Sequence, residues 1–163
     1  MEPKVNYADL TKTYTLFCKR RADHWRTILQ DSAQQMVDEF EASLDLPAST
    51  WQDRNLKTHR YVQLGEVEGG AFVPRQPQQL LGHDDVLRFA IQLTLEKGPN
   101  LHPKLDVNVP VEFLIDDNRI RVTIANQSTI PLYVQKTAAP GRFAEAVTAV
   151  KAAVERHFSR TFD

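Results

Sequence analysis

Residues 86–97 read VLRFAIQLTLEK, and residues 105–116 read LDVNVPVEFLID. In the first, Leu87, Phe89, Ile91, Leu93 and Leu95 alternate with Arg88, Ala90, Gln92, Thr94 and Glu96. In the second, Leu105, Val107, Val109, Val111, Phe113 and Ile115 alternate with Asp106, Asn108, Pro110, Glu112 and Leu114. A period of two over this length predicts paired strands with one buried face and one wet face. Pro110 has no N–H to give a ladder, which predicts an edge strand or a bulge. Asp116-Asp117-Asn118 reads as a hairpin turn into a strand over 119–126 that carries Ile120, Val122 and Ile124. A further strand over 130–136 carries Ile130, Leu132 and Val134, and 59–67 supplies a possible fifth. Pro140-Gly141 opens a closing helix with Phe143, Ala146, Val147, Val150, Ala153, Val154, His157 and Phe158 on one stripe.

Upstream, residues 7–46 contain neither Gly nor Pro. Asn6 with Asp9 approximates a capping box, and Leu46-Pro47 is a stop. Forty helical residues would measure about 60 Å. Leu10, Tyr14, Phe17, Trp25 and Ile28 share one face, whereas Ala33, Val37, Phe40 and Leu44 lie roughly a right angle away. The shift near Gln30-Asp31-Ser32 predicts a kink, a short loop or a change of burial partner. Charge is lopsided too. Lys12, Lys19, Arg20, Arg21 and Arg26 come first, with Asp23, and then Asp31, Asp38, Glu39, Glu41 and Asp45 follow with no base. That order opposes the helix dipole, so compensation is expected. Antiparallel pairing would supply it, either as a hairpin within the chain or as a two-fold homodimer. The candidate interface is therefore Lys19, Arg20, Arg21, Trp25, Arg26, Asp38, Glu39 and Glu41.

The expected fold class is α+β. A long or kinked N-terminal helical segment (1–46) precedes an α+β body (47–163), one domain overall. The body holds a four- to five-stranded, mostly antiparallel meander sheet with the C-terminal helix packed on one face. Twenty Lys and Arg against 21 Asp and Glu leave a net charge of -1, and without a basic excess nucleic acid is not the expected partner. No run approaches the ~18 apolar residues of a membrane span, so no membrane association is expected. Cys18 is the only cysteine. It can form no internal disulfide or Cys-rich zinc site, and it is expected to be a small buried hydrophobe. With no apolar leader after Met1, a cytoplasmic location is expected.

Two constellations could carry chemistry. His83-Asp84-Asp85 places a histidine beside two carboxylates, the materials of an acid–base pair. No HExxH, HxH or DxD spacing accompanies it, and His24, His59, His102 and His157 are scattered. The wet sheet face offers Arg88, Glu112, Arg121 and Tyr133 as an anion clamp. Pro74 and Pro77 have PxxP spacing, read as a turn. Leu101-His102-Pro103, in a loop after a helix and strands, resembles the His-Pro of ubiquitin-conjugating domains. Those enzymes carry a catalytic cysteine shortly downstream, and none follows His102, so no activity is carried over. Neither GxGxxG, GxxxxGK[ST] nor GxSxG occurs, which makes Rossmann dehydrogenases, ATPases and typical serine hydrolases poor readings. The expectation is a protein-interaction module (adaptor, inhibitor or complex subunit) that self-associates through its N-terminal helix, with no cofactor and no catalytic residue. The alternative is a ligand-binding or enzymatic α+β domain using the polar sheet face.

Overall fold

The computed structural model describes residues 4–98, 101–102, 104–125 and 131–159. It is of the α+β class, with α1 over Tyr7–Ser43 and α2 over Ala144–Ser159. The strands between them are β1 (Thr50–Gln52), β2 (Thr58–Arg60), β3 (Val62–Glu68), β4 (Ala71–Pro74), β5 (Val86–Leu95), β6 (Leu105–Asp116), β7 (Arg119–Ile124) and β8 (Leu132–Gln135). β1 and β2 form a separate antiparallel ribbon. The other six make one sheet in the order β4-β3-β5-β6-β7-β8, with every neighbour antiparallel.

The alternating residues are the spine of this sheet. Leu87 faces Phe113, and Ile91 faces Val109, so the apolar sets of β5 and β6 fall on one face. Ile120 and Val122 of β7 and Val134 of β8 extend it, and all are buried. Ala146, Val147, Val150, Ala153 and Val154 of α2 and the inner half of α1 cover that face. Phe113 sits between Phe89, edge-on at 4.9 Å, and Phe143, stacked at 5.7 Å.

The sheet has six strands rather than four or five. Glu68-Gly69-Gly70, read as loop, is a turn in which both glycines take positive φ, and it returns the chain as β4. The expected strand over 59–67 divides at Tyr61: β2 ends at Arg60 to pair with β1, and β3 starts at Val62. Gly65 lets β4 close down, because a Cβ there would lie 2.6 Å from the Phe72 ring and against the Val73 carbonyl. Pro110 lies in β6, a central strand, not at an edge. Its carbonyl accepts from Ala125 at 2.8 Å, so its nitrogen faces the same side, where the β6–β7 pairing has already ended at Val111↔Ile124. The missing donor therefore costs no ladder bond. The closing helix begins at Ala144, after a turn through Gly141. Asn126 and Ile130 lie outside the described residues.

α1 is one helix with no loop near Gln30. Its capping box is formed: the Asn6 carboxamide accepts from the Asp9 N–H (3.0 Å), and the Asp9 carboxylate accepts from the Asn6 N–H (3.1 Å). The change of stripe is a change of burial partner. Trp25, Leu29, Ser32, Ala33, Met36, Val37 and Phe40 are buried against the body, whereas every residue from Tyr7 to His24 is exposed. Eighteen residues of helix project about 27 Å beyond the core.

Candidate protein-interaction surface

The projecting half of α1 gathers most of its large apolar side chains on one side, with Leu16, 48% exposed, on the other. Tyr7, Leu10, Tyr14 and Phe17 are 84%, 58%, 67% and 59% exposed. Their spacing of three, four and three puts them on a single stripe. At 100° per residue, the centre of this stripe lies about 80° from the centre of the face that α1 buries. The stripe is thus no continuation of the body's own packing surface. The backbone along it makes no demand on a partner: Thr11, Thr13 and Thr15 donate to the carbonyls of Tyr7, Asp9 and Thr11 within the helix.

Cys18 borders this stripe and is exposed, not buried as expected. It falls in the part of α1 that has left the core, where no neighbouring element can cover it. The nearby Cys18 thiol is the main cause holding the Tyr14 phenol, one turn back, above its ordinary range. Lys12, Lys19 and Arg26 recur every seven residues on the far side of the helix. Arg26 pairs with Asp23 at 3.4 Å. Arg21 falls within the apolar stripe itself.

Two acids of α1, Glu39 and Glu41, are engaged by the protein's own body. Glu39 accepts from the Phe143 N–H (3.3 Å) and from Gln35 (2.8 Å). Glu41 receives Arg60 through both carboxylate oxygens, at 3.1 and 2.8 Å. Lys151 donates to the Ser43 carbonyl at 3.2 Å, placing a cation at the negative end of the helix dipole. Asp38 is exposed and accepts from Gln34 at 2.8 Å. Because α1 is unbroken, its basic half cannot fold back onto its acidic half. Of the two antiparallel pairings read from the charge order, the hairpin is removed. Trp25 ends the exposed run: it is buried, with the Lys136 ammonium 4.4 Å from its ring centre.

The other candidates resolve into surface features. His83 and Val86 exchange both backbone hydrogen bonds, at 2.9 and 3.0 Å. Asp84 and Asp85 between them take positive φ, which makes a two-residue primed turn. His83 reaches Asp84 at 3.1 Å, with both side chains almost wholly exposed. Arg88, Glu112, Arg121 and Tyr133 do share the open sheet face. There Arg88 binds Glu112 at 2.8 Å, and Arg119 lies 3.8 Å over the Tyr133 ring. Gln92 with Asn108 and Thr94 with Asp106 continue this row of cross-strand pairs. Among the described residues, no group of three or more His, Cys, Asp or Glu could hold a metal ion, and no helix is long and apolar enough to cross a membrane.

One polar cluster has no counterpart in the sequence reading. The Trp51 ring lies between His59, stacked at 4.5 Å, and the Lys104 ammonium at 5.0 Å. Asp53 accepts from the Asn55 and Lys57 N–H groups (2.8 and 3.0 Å) and meets His59 at 2.8 Å. Lys104 is almost wholly buried and donates to Glu96 at 2.6 Å. Tyr61 donates to the same carboxylate at 3.3 Å, and burial first, then the Glu96 charge, raises its phenol. The cluster ties the β1–β2 ribbon to the end of β5. No motif signals it, because its members come from separate parts of the chain. Comparison with family models, with curated proteins and with solved structures finds no match for this chain.

Proposed function

We propose that this protein is a protein-interaction module that docks through the free end of α1 and self-associates there. The observation that carries the reading is the exposed stripe of Tyr7, Leu10, Tyr14 and Phe17 on a helix already anchored by its other half. Aromatic side chains of 150–250 Å² each, at these exposures, leave on the order of 500 Å² of contiguous apolar surface with Leu10 included. A patch of about that size stands in the upper part of the range for the largest apolar patch on a single chain, where such patches are often functional. The free thiol of Cys18 suits a reducing compartment such as the cytoplasm. The polar sheet face supports ligand binding less well, because Arg88 is already paired with Glu112.

The test is solution mass by light scattering at low and high salt. A dimer of twice 18.6 kDa is expected at both, since apolar burial is not screened by salt as ion pairs are. Tyr14→Glu with Phe17→Glu should return the protein to a single chain. A wild-type protein of one-chain mass at concentrations on the order of 100 μM, a hundredfold above a 1 μM dissociation constant, would refute self-association.

A further inference from the structure

Resting on that reading, we infer that the partner of the free end is the same stripe of a second copy, run antiparallel about a two-fold axis beside Lys12. The stripe is self-complementary only in that register. Residues whose numbers sum to 24 then meet: Tyr7 faces the partner's Phe17, and Leu10 faces the partner's Tyr14. The same two layers repeat beyond the axis. Every apolar residue of the stripe finds an apolar partner, and these are the unlike positions that antiparallel helices bring together in the seam of a coiled coil.

The competing arrangements each carry a defect. Parallel pairing sets like on like, so the two Arg21 side chains would meet within the stripe, with parallel helix dipoles. In the antiparallel register they stand nine residues either side of the axis, about 27 Å apart along the helix, beyond two Debye lengths at physiological salt. An antiparallel register centred between Thr15 and Leu16 would set Leu10 on the partner's Arg21 and Tyr7 on the partner's His24. About Lys12, the bases Lys12 and Lys19 lie on the outer sides of both helices, and the like charges that come level, Arg20 and the partner's Lys4, lie beyond the stripe at its exposed rim. The bodies clear one another as well. The partner's Tyr7 comes level with Phe17, eight residues or about 12 Å short of Trp25, where the core begins. The two stripes bury on the order of 1,000 Å² in total, the lower bound for a specific interface, so association depends on concentration.

A spin label on the exposed back of α1 reads the register without touching the stripe. Thr27→Cys is made in a Cys18→Ser background; both positions are exposed. Thr27 is 15 residues from Lys12, so pulsed dipolar spectroscopy should give a label separation of about 45 Å. A parallel dimer would bring the labels within about 25 Å, and the register centred between Thr15 and Leu16 would give about 35 Å. Either result, on a sample whose mass is that of two chains, overturns the register and leaves self-association standing. A one-chain mass at concentrations on the order of 100 μM overturns both.

Discussion

Arg142 donates from Nη2 to the hydroxyl of Ser32 at 2.8 Å, joining the approach to α2 to the buried face of α1. Ser32 is fully buried and in turn donates to the Ile28 carbonyl at 2.7 Å. The same guanidinium donates to Gln35 (2.9 Å) and to the carbonyls of Gln135 (2.9 Å), the last residue of β8, and Lys136 (3.0 Å), the next. Desolvation draws the Arg142 pKa down, with Glu39 opposing, but a guanidinium stays charged at neutral pH. One side chain therefore pins α1, β8 and α2 together.

Arg142→Ala leaves three acceptors and a buried hydroxyl short of a partner. Chemical denaturation should show a loss of about 3 kcal/mol. Arg142→Lys should recover less than half of it, because an ammonium cannot reproduce the planar fork.

Glu96→Gln leaves the Lys104 ammonium, whose side chain is 4% exposed, with no carboxylate and only the Leu101 carbonyl (3.3 Å) and the Trp51 ring beside it. Breaking such a pair from one side costs about 3 kcal/mol. Replacing both partners with apolar residues, Lys104→Met with Glu96→Leu, should cost less than the single change, since no uncompensated charge remains. Equal costs for the two variants would count against the buried pair.

The Asp53 carboxyl is held below its ordinary 3.8, chiefly by its hydrogen bond with His59 and then by the Lys57 N–H. A carboxyl depressed in the folded state stabilises fully above its unfolded pKa, and that contribution is lost as pH falls through the lower folded value. The β1–β2 ribbon should accordingly loosen below pH 3.8 and stay intact above it. Trp51 fluorescence in a Trp25→Phe background reports this, and Asp53→Asn should abolish the acid step.

Two phenylalanines on one helix separate folding from docking. Phe40 is fully buried, and Phe40→Ala should cost about 3–5 kcal/mol. Phe17 touches no core, and Phe17→Ala should leave the stability of the dilute single chain within about 0.5 kcal/mol. A large loss at Phe17 under those conditions would mean that the free end packs on its own body.

Long, regular signals were readable from residues alone. The alternation in 86–97 and 105–116 specifies both strands and their buried face, and the three-four spacing of Leu10, Tyr14 and Phe17 names most of the exposed stripe, though it leaves out Tyr7 and joins to it Trp25, which is buried. Short or contextual features were not. β4 spans four residues behind two glycines and ends on Pro74, too brief for a period to register. The division at Tyr61 is invisible because neither glycine nor proline marks it. Residue type alone puts Cys18 inside, but it carries no information about where a helix leaves its core, and Cys18 is exposed. The Trp51 cluster exists only once β1, β2 and the end of β5 have met.

Between Ala22 and Trp25 the backbone of α1 passes from solvent into the core with no break in its helical path. One residue added there would lengthen the arm by about 1.5 Å and swivel its grip by about 100°. Not one buried atom would need to change. The aim of this arm is therefore a matter of residue counting at its shoulder, so a single insertion or deletion can point the same fold at a different neighbour.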